Sequence, residues 1–114
     1  MIYTSYFGKL NRLPKYLRPV GVCRQIPKGI NIPNINELSP TWDMINLAKA
    51  GRWEAYCQKY NAEVLDRLDP VAIYNKIGDN AVLMCYEKTG DNCHRHLIAD
   101  WLNRKLGLNI VEYI

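Results

Sequence analysis

The chain lacks the common phosphate-binding loops. It contains neither G-x-x-x-x-G-K-[ST] nor G-x-G-x-x-G, so the usual forms of nucleoside triphosphate hydrolysis and dinucleotide binding are disfavoured. No Cys-x-x-Cys occurs among its four cysteines, Cys23, Cys57, Cys85 and Cys93, and their spacing fits no familiar zinc pattern. No group of Asp, Glu and His has metal-ligand spacing. Cys93 with His94 or His96 offers adjacent ligands only, which is weak evidence, and no metal is expected. No apolar run approaches the ~18 residues of a membrane helix. The start, Met1-Ile2-Tyr3-Thr4, resembles a strand and not a basic segment followed by an apolar stretch, so no signal peptide and no membrane are expected. Free thiols in a reducing cytoplasm are the expectation that follows.

What is present describes an ordinary globular domain. The 114 residues are 48% hydrophobic and 23% charged, which suits one domain over 1–114 with a real core and argues against disorder. The net charge of +4 permits a phosphate-bearing or nucleic-acid partner without demanding one. Lys9, Arg12, Lys15 and Arg18 alternate with Leu10, Leu13, Tyr16 and Leu17. That segment could touch a nucleic-acid backbone, but a surface loop with its leucines tucked in is the plainer reading.

Local patterns give an element order. Residues 1–7 are rich in β-branched and aromatic types and stop at Gly8, which predicts a first strand. Val20 to Arg24 predicts a second. The stretch 25–40, punctuated by Pro27, Gly29, Pro33 and Pro40, predicts a long irregular segment. Ser39-Pro40 predicts a helix start, with that helix running to about Ala50. Trp53, Tyr56, Cys57, Tyr60, Val64, Leu65 and Leu68 form a helical stripe. Asp69-Pro70 predicts a third helix ending near Gly78. The apolar run 81–86 predicts a central strand covered on both faces. Leu97, Ile98, Trp101, Leu102 and Leu106 mark the buried face of a last helix that stops at Gly107. Asn109 to Tyr113 predicts a final strand. Trp42, Trp53 and Trp101 fall at helix-core positions and read as packing. The alternation predicts an α/β fold: a three-layer sandwich with a small, mostly parallel sheet flanked by helices.

Ligands in such sheets bind at the carboxyl ends of the strands. That edge is predicted to gather Thr4, Ser5 and Tyr6 from the first strand, Arg24 from the second, Glu87 after the third, and Cys93-His94-Arg95. Asp91 or Asn92 suits the N-cap of the last helix, which puts those three residues in its first turn. A thiol there feels the helix dipole and nearby Arg95, so Cys93 is a candidate nucleophile; the plainer reading is a small residue packed at a turn. His94 shares a face with Leu97, Ile98 and Trp101 and should point inward as support, while His96 should face solvent. Arg95, beside a helix N-terminus, suits an anion, with a salt bridge to Glu87 as the structural alternative. Glu87 is a candidate general acid or base. Arg24 would add a second guanidinium, or else pin loop carbonyls.

The run from Val82 to Leu102, an apolar strand, then Cys-x-Glu, a polar turn, Cys-His-Arg and a helix with Leu-x-Ala-x-Trp-Leu, resembles the signature of the family called domain of unknown function 488. Ile2-Tyr3-Thr4-Ser5 resembles its first strand, and Val20 to Arg24 with Pro27 its second segment. Two positions depart: Val22 stands where many members have Asp, and Ser5-Tyr6-Phe7 where many have Gly-His-Ser. The chain is similar to the family's short branch, of the kind found in bacteria and phages. The resemblance implies an α/β fold and a site around Glu87, Cys93, His94 and Arg95; it implies no reaction and no cofactor.

Three functional readings follow, the third a metal site using Cys93 and a histidine. In the first, a cleft holds a nucleoside-like or phosphate-bearing ligand, with an enzyme acting through Glu87 and Cys93 and binding through Arg95, Arg24, Thr4, Ser5 and Tyr6. In the second, the chain is a non-enzymatic binding module for nucleic acid or a partner protein.

Overall fold

A computed structural model describes all residues, 1–114. Strands β1 (Ile2–Tyr6), β2 (Arg18–Gly21), β3 (Ala81–Cys85) and β4 (Val111–Glu112) form one sheet. Its order is β2-β3-β1-β4 and every pairing is parallel. The unbroken apolar run of β3 is explained by this order: it lies between β2 and β1, and all five of its residues are buried. Tyr6 pairs with Cys85 and Gly21 with Met84, so the carboxyl ends of β1, β2 and β3 are level. β4 pairs Glu112 beside Thr4.

Strand alternation divides the core into two layers. Ala81, Leu83 and Cys85 face a large cluster supplied by helices α1 (Trp42–Lys49), α2 (Trp53–Glu63), α3 (Pro70–Ile77) and α4 (His94–Leu106). Val82 and Met84 face the other way, against Leu17 and the side chains of Phe7, Leu10, Leu13 and Ile32. That second cover is a 3-10 helix, Phe7–Arg12, with its flanking loops. The result is the expected three-layer α/β sandwich, with a sheet wholly parallel rather than mostly so. No helix is long and apolar enough to cross a membrane.

Caps set the helix ends. Asp69 accepts from the Val71 N–H at 3.0 Å and Pro70 opens α3, as expected. Gly107 ends α4 at φ 66°, a left-handed conformation that costs a residue with a Cβ more than glycine. Two starts differ from expectation. The N-cap of α1 is Thr41, not Ser39, because the Ser39 hydroxyl instead donates to the Cys23 carbonyl at 2.8 Å. The N-cap of α4 is Cys93, in extended conformation, so the helix begins at His94. β2 also begins and ends earlier than read, which leaves Arg24 beyond the strand.

The loop after β2 is clamped at Cys23. Its N–H donates to Asn34 Oδ1 at 3.2 Å, and Asn34 Nδ2 donates back to its carbonyl at 2.7 Å. The Asn34 side chain approaches β2 closely: a Cβ on Gly21 would stand 2.6 Å from its Oδ1. Glycine at 21 is therefore what lets the Asn34 side chain come this close to β2.

Candidate functional site

A cavity of about 340 Å³ opens at the carboxyl ends of β2 and β3, between α1, α2 and the start of α4. Its wall is aromatic. Trp53 and Tyr56, one helical turn apart on α2, stack with ring centres 4.6 Å apart, and Tyr56 stacks in turn on Tyr60. Trp42 stands at the mouth, 61% exposed. The Arg24 guanidinium lies over its ring at 4.9 Å. Arg24 makes one protein hydrogen bond, a long one of 3.3 Å to the Pro40 carbonyl, so most of its donors are free. Tyr86 and the exposed carboxylate of Glu87 complete the rim.

Cys85, Cys93 and His94 form the buried floor. The structure joins Cys85 and Cys93 as a disulfide, eight residues apart, and leaves Cys23 and Cys57 as free thiols. This corrects the expectation of four free thiols; a bonded Cys93 is not a thiolate. Burial, the larger effect, raises the Cys23 thiol above its ordinary pKa against hydrogen bonding at Gln25.

His94 points inward, as its helical position predicts. Its Nε2 meets the Val22 carbonyl, and its Nδ1 lies 3.7 Å from Cys93 Sγ. A carbonyl only accepts, so Nε2 carries the proton and Nδ1 keeps its lone pair. Burial pushes the His94 pKa down to about 4, with the Val22 bond opposing and Arg95 adding to the fall. His96, expected in solvent, is half-buried, and burial lowers its pKa as well.

Arg95 is not on the cavity lining. Its side chain is fully buried and gripped by Glu112. Nε donates to Oε1 at 3.0 Å and Nη2 to Oε2 at 2.8 Å. Nη1 donates to the Glu87 carbonyl at 2.7 Å and reaches Cys85 Sγ at 3.1 Å. With its donors engaged and no accessible surface, it holds no external anion in this conformation. The salt bridge foreseen with Glu87 forms with Glu112 instead, and Glu87 contributes only its backbone. Thr4 lies on the same side, donating to Glu112 Oε1 at 2.6 Å. Ser5 is buried with its hydroxyl unpartnered, and Tyr6 receives Lys9 over its ring. Neither Thr4, Ser5 nor Tyr6 lines the cavity.

Of the residues gathered by sequence reasoning, the structure thus brings Arg24, Glu87, Cys93 and His94 together and sends Arg95, Thr4, Ser5 and Tyr6 to the β1–β4 side. Sequence reasoning missed the aromatic wall. Trp42 sits at a helix start, where periodicity over eight residues says little about facing, and Trp53 is only half-buried. It also missed Glu112, whose one signal is a carboxylate in a β-rich run at the chain's end.

The family model described as the active DUF488-N3 subclade, DUF488-N3a, matches residues 2–106. No curated protein and no solved structure shows a match. With nearly the whole chain inside the match, the protein belongs to the DUF488-N3a family.

Proposed function

We propose that this DUF488-N3a member binds a nucleoside- or nucleotide-type ligand in the cavity between Arg24, Trp42 and Glu87 and acts on it as an enzyme. The observation that carries the reading is the placement of Arg24 over the exposed ring of Trp42 at the mouth of an aromatic cavity. A planar base finds π faces in Trp42 and Trp53, and stacking of this kind contributes ~1–3 kcal/mol per base. The guanidinium beside it suits a phosphate or carboxylate. The start of α4 opens on the cavity with no side-chain cap, so its first N–H groups favour the same charge.

Glu87 is the catalytic group in this reading. It is the carboxylate on the cavity rim, free to accept a proton from a ligand hydroxyl or water, or to return one. The role of nucleophile for Cys93 requires reduction of its bond to Cys85. The subclade's description as active supports an enzyme over a passive binding module.

The test is tryptophan fluorescence titration with a nucleoside monophosphate, its nucleoside and inorganic phosphate. The nucleotide should quench fluorescence and bind most tightly. Arg24→Ala should weaken it about tenfold or more, the size of a lost charge-assisted hydrogen bond, while leaving the nucleoside nearly unaffected. Glu87→Gln should keep binding and abolish turnover. Absence of binding by all three ligands overturns the reading; binding without turnover in the native protein moves it to a binding module.

A further inference from the structure

The floor of the cavity holds more ligand chemistry than a nucleotide site requires. The two sulfurs of Cys85 and Cys93 and an imidazole nitrogen of His94 lie within 4.8 Å of one another, and all three residues are buried. They come from the end of β3 and the start of α4, two elements packed against each other. A carboxylate oxygen of Glu87 stands 3.6 Å from Cys85 Sγ.

We infer that the reduced chain binds a zinc-class divalent cation through Cys85 Sγ, Cys93 Sγ and His94 Nδ1, with Glu87 closing the fourth position. This inference shares Glu87 and Cys93 with the proposed enzyme but uses neither Arg24 nor Trp42, so nucleotide binding at the mouth is tested separately from metal at the floor. Four features argue for it. The lone pair of His94 Nδ1 faces the sulfur, because Nε2 is tied to the Val22 carbonyl. That is the usual arrangement of a metal-binding histidine, whose second nitrogen donates to a carbonyl or carboxylate and fixes the ring. Zinc bonds of ~2.3 Å to sulfur and ~2.0 Å to nitrogen or oxygen give a tetrahedron whose sulfur-containing edges are about 3.5–3.8 Å. The Cys93 Sγ to His94 Nδ1 separation, 3.7 Å, and the Cys85 Sγ to Glu87 separation, 3.6 Å, have that length.

The third feature is reach. The Cα atoms of Cys85 and Cys93 stand 7.6 Å apart, so the reduced sulfurs can separate around a shared ion by side-chain rotation. The fourth is charge. Arg95 Nη1, 3.1 Å from Cys85 Sγ, donates a hydrogen bond that helps hold thiolate character in a buried place. A structural disulfide needs neither an oriented imidazole nor a carboxylate aimed at its sulfur.

A phosphine reductant attacks one sulfur and breaks the S–S bond, and water then hydrolyses the thiophosphonium: the phosphine gives two electrons and leaves as its oxide, while water supplies the oxide oxygen and both thiol protons. The cation then displaces both thiol protons. Disulfide and metal are alternatives at the same two sulfurs, and in the metal-bound state Cys93 is a ligand and not a nucleophile.

The experiment uses the whole chain, reduced with a phosphine without oxygen, stripped by a chelator that is then removed, and titrated with cobalt(II). The expected result is a thiolate-to-cobalt charge-transfer band with intense visible bands of tetrahedral cobalt, saturating at one equivalent and bleached by zinc. With zinc bound, alkylation of Cys85 and Cys93 should slow at least tenfold, while Cys57 on α2 reacts unchanged. Cys57→Ser and Arg24→Ala should retain the spectrum; Cys93→Ser and His94→Gln should lose or shift it. Should those last two variants fail to fold, the wild-type titration and alkylation decide alone. A reduced chain that keeps its circular dichroism yet shows only the pale spectrum of octahedral cobalt, with alkylation unchanged by zinc, overturns the inference. Neither result bears on Arg24-dependent nucleotide binding, so binding at the mouth and metal at the floor fail separately.

Discussion

Glu112, on the short edge strand β4, closes both oxygens on the fully buried guanidinium of Arg95. The same carboxylate takes the hydroxyls of Thr4 and Thr89. One acidic residue near the end of the chain therefore ties together β1, β4, the loop before α4 and the first turn of α4.

Removing that carboxylate leaves a buried charge without a partner. Glu112→Ala should destabilise the fold by about 3–5 kcal/mol, the usual cost of breaking a buried pair from one side. The midpoint of urea unfolding, followed by circular dichroism, measures it. Replacing both Arg95 and Glu112 by well-packed apolar residues should cost less than Glu112→Ala alone, because no unpaired charge remains.

The pair also gives the fold an acid limit. Burial by itself, the largest effect, would raise the Glu112 pKa; the hydrogen bonds from Arg95 and Thr4, the Arg95 charge and the Thr89 bond together bring it below its ordinary 4.5. The unfolded chain then takes up this proton at a higher pH than the native one. The stability from this group is complete above about pH 4.5 and is lost as pH falls through the lower native value. Unfolding midpoints measured from pH 6 to pH 3 should fall, and Glu112→Gln should flatten the lower part of that profile.

At the cavity mouth, function and stability should separate. Trp42 is mostly exposed, so Trp42→Ala should change the unfolding free energy by no more than about 0.5 kcal/mol. Ligand affinity should drop about tenfold with loss of the stacking face. A variant that lost stability and affinity together would place Trp42 in the packing of α1 instead.

Gly107 offers a check on the end of α4. Its φ of 66° is the left-handed region, so Gly107→Ala should cost about 1 kcal/mol. Thermal unfolding reads this directly, and ligand binding should be untouched because the position lies at the far end of the helix from the cavity.

Much of the fold was legible in local patterns. The all-buried β3 followed from an unbroken apolar run, α3 from Asp69-Pro70, and the end of α4 from Gly107. The inward turn of His94 followed from its 100° spacing with Leu97, Ile98 and Trp101. Helix starts were less legible where a capping hydroxyl had another use: Ser39 is drawn to the Cys23 carbonyl, and Thr41 caps α1. The site was half legible. Strand ends named Arg24, Glu87, Cys93 and His94, but the same rule assigned Thr4, Ser5, Tyr6 and Arg95 to a cavity they do not line.

By itself, the sequence determined the α/β layering, the parallel sheet and the stretch of chain that builds the cavity floor. These depend on periodicity, turn chemistry and runs of apolar residues, all of which act over a few positions. Only the tertiary structure decided that Arg95 answers to Glu112, that Cys85 meets Cys93, and that Trp42 stands over the cavity beneath Arg24. Each of these depends on strand order and on how a clamped loop returns to the sheet. Such contacts join residues from separate elements, and no local pattern encodes which of several chemically suitable partners the fold brings within reach.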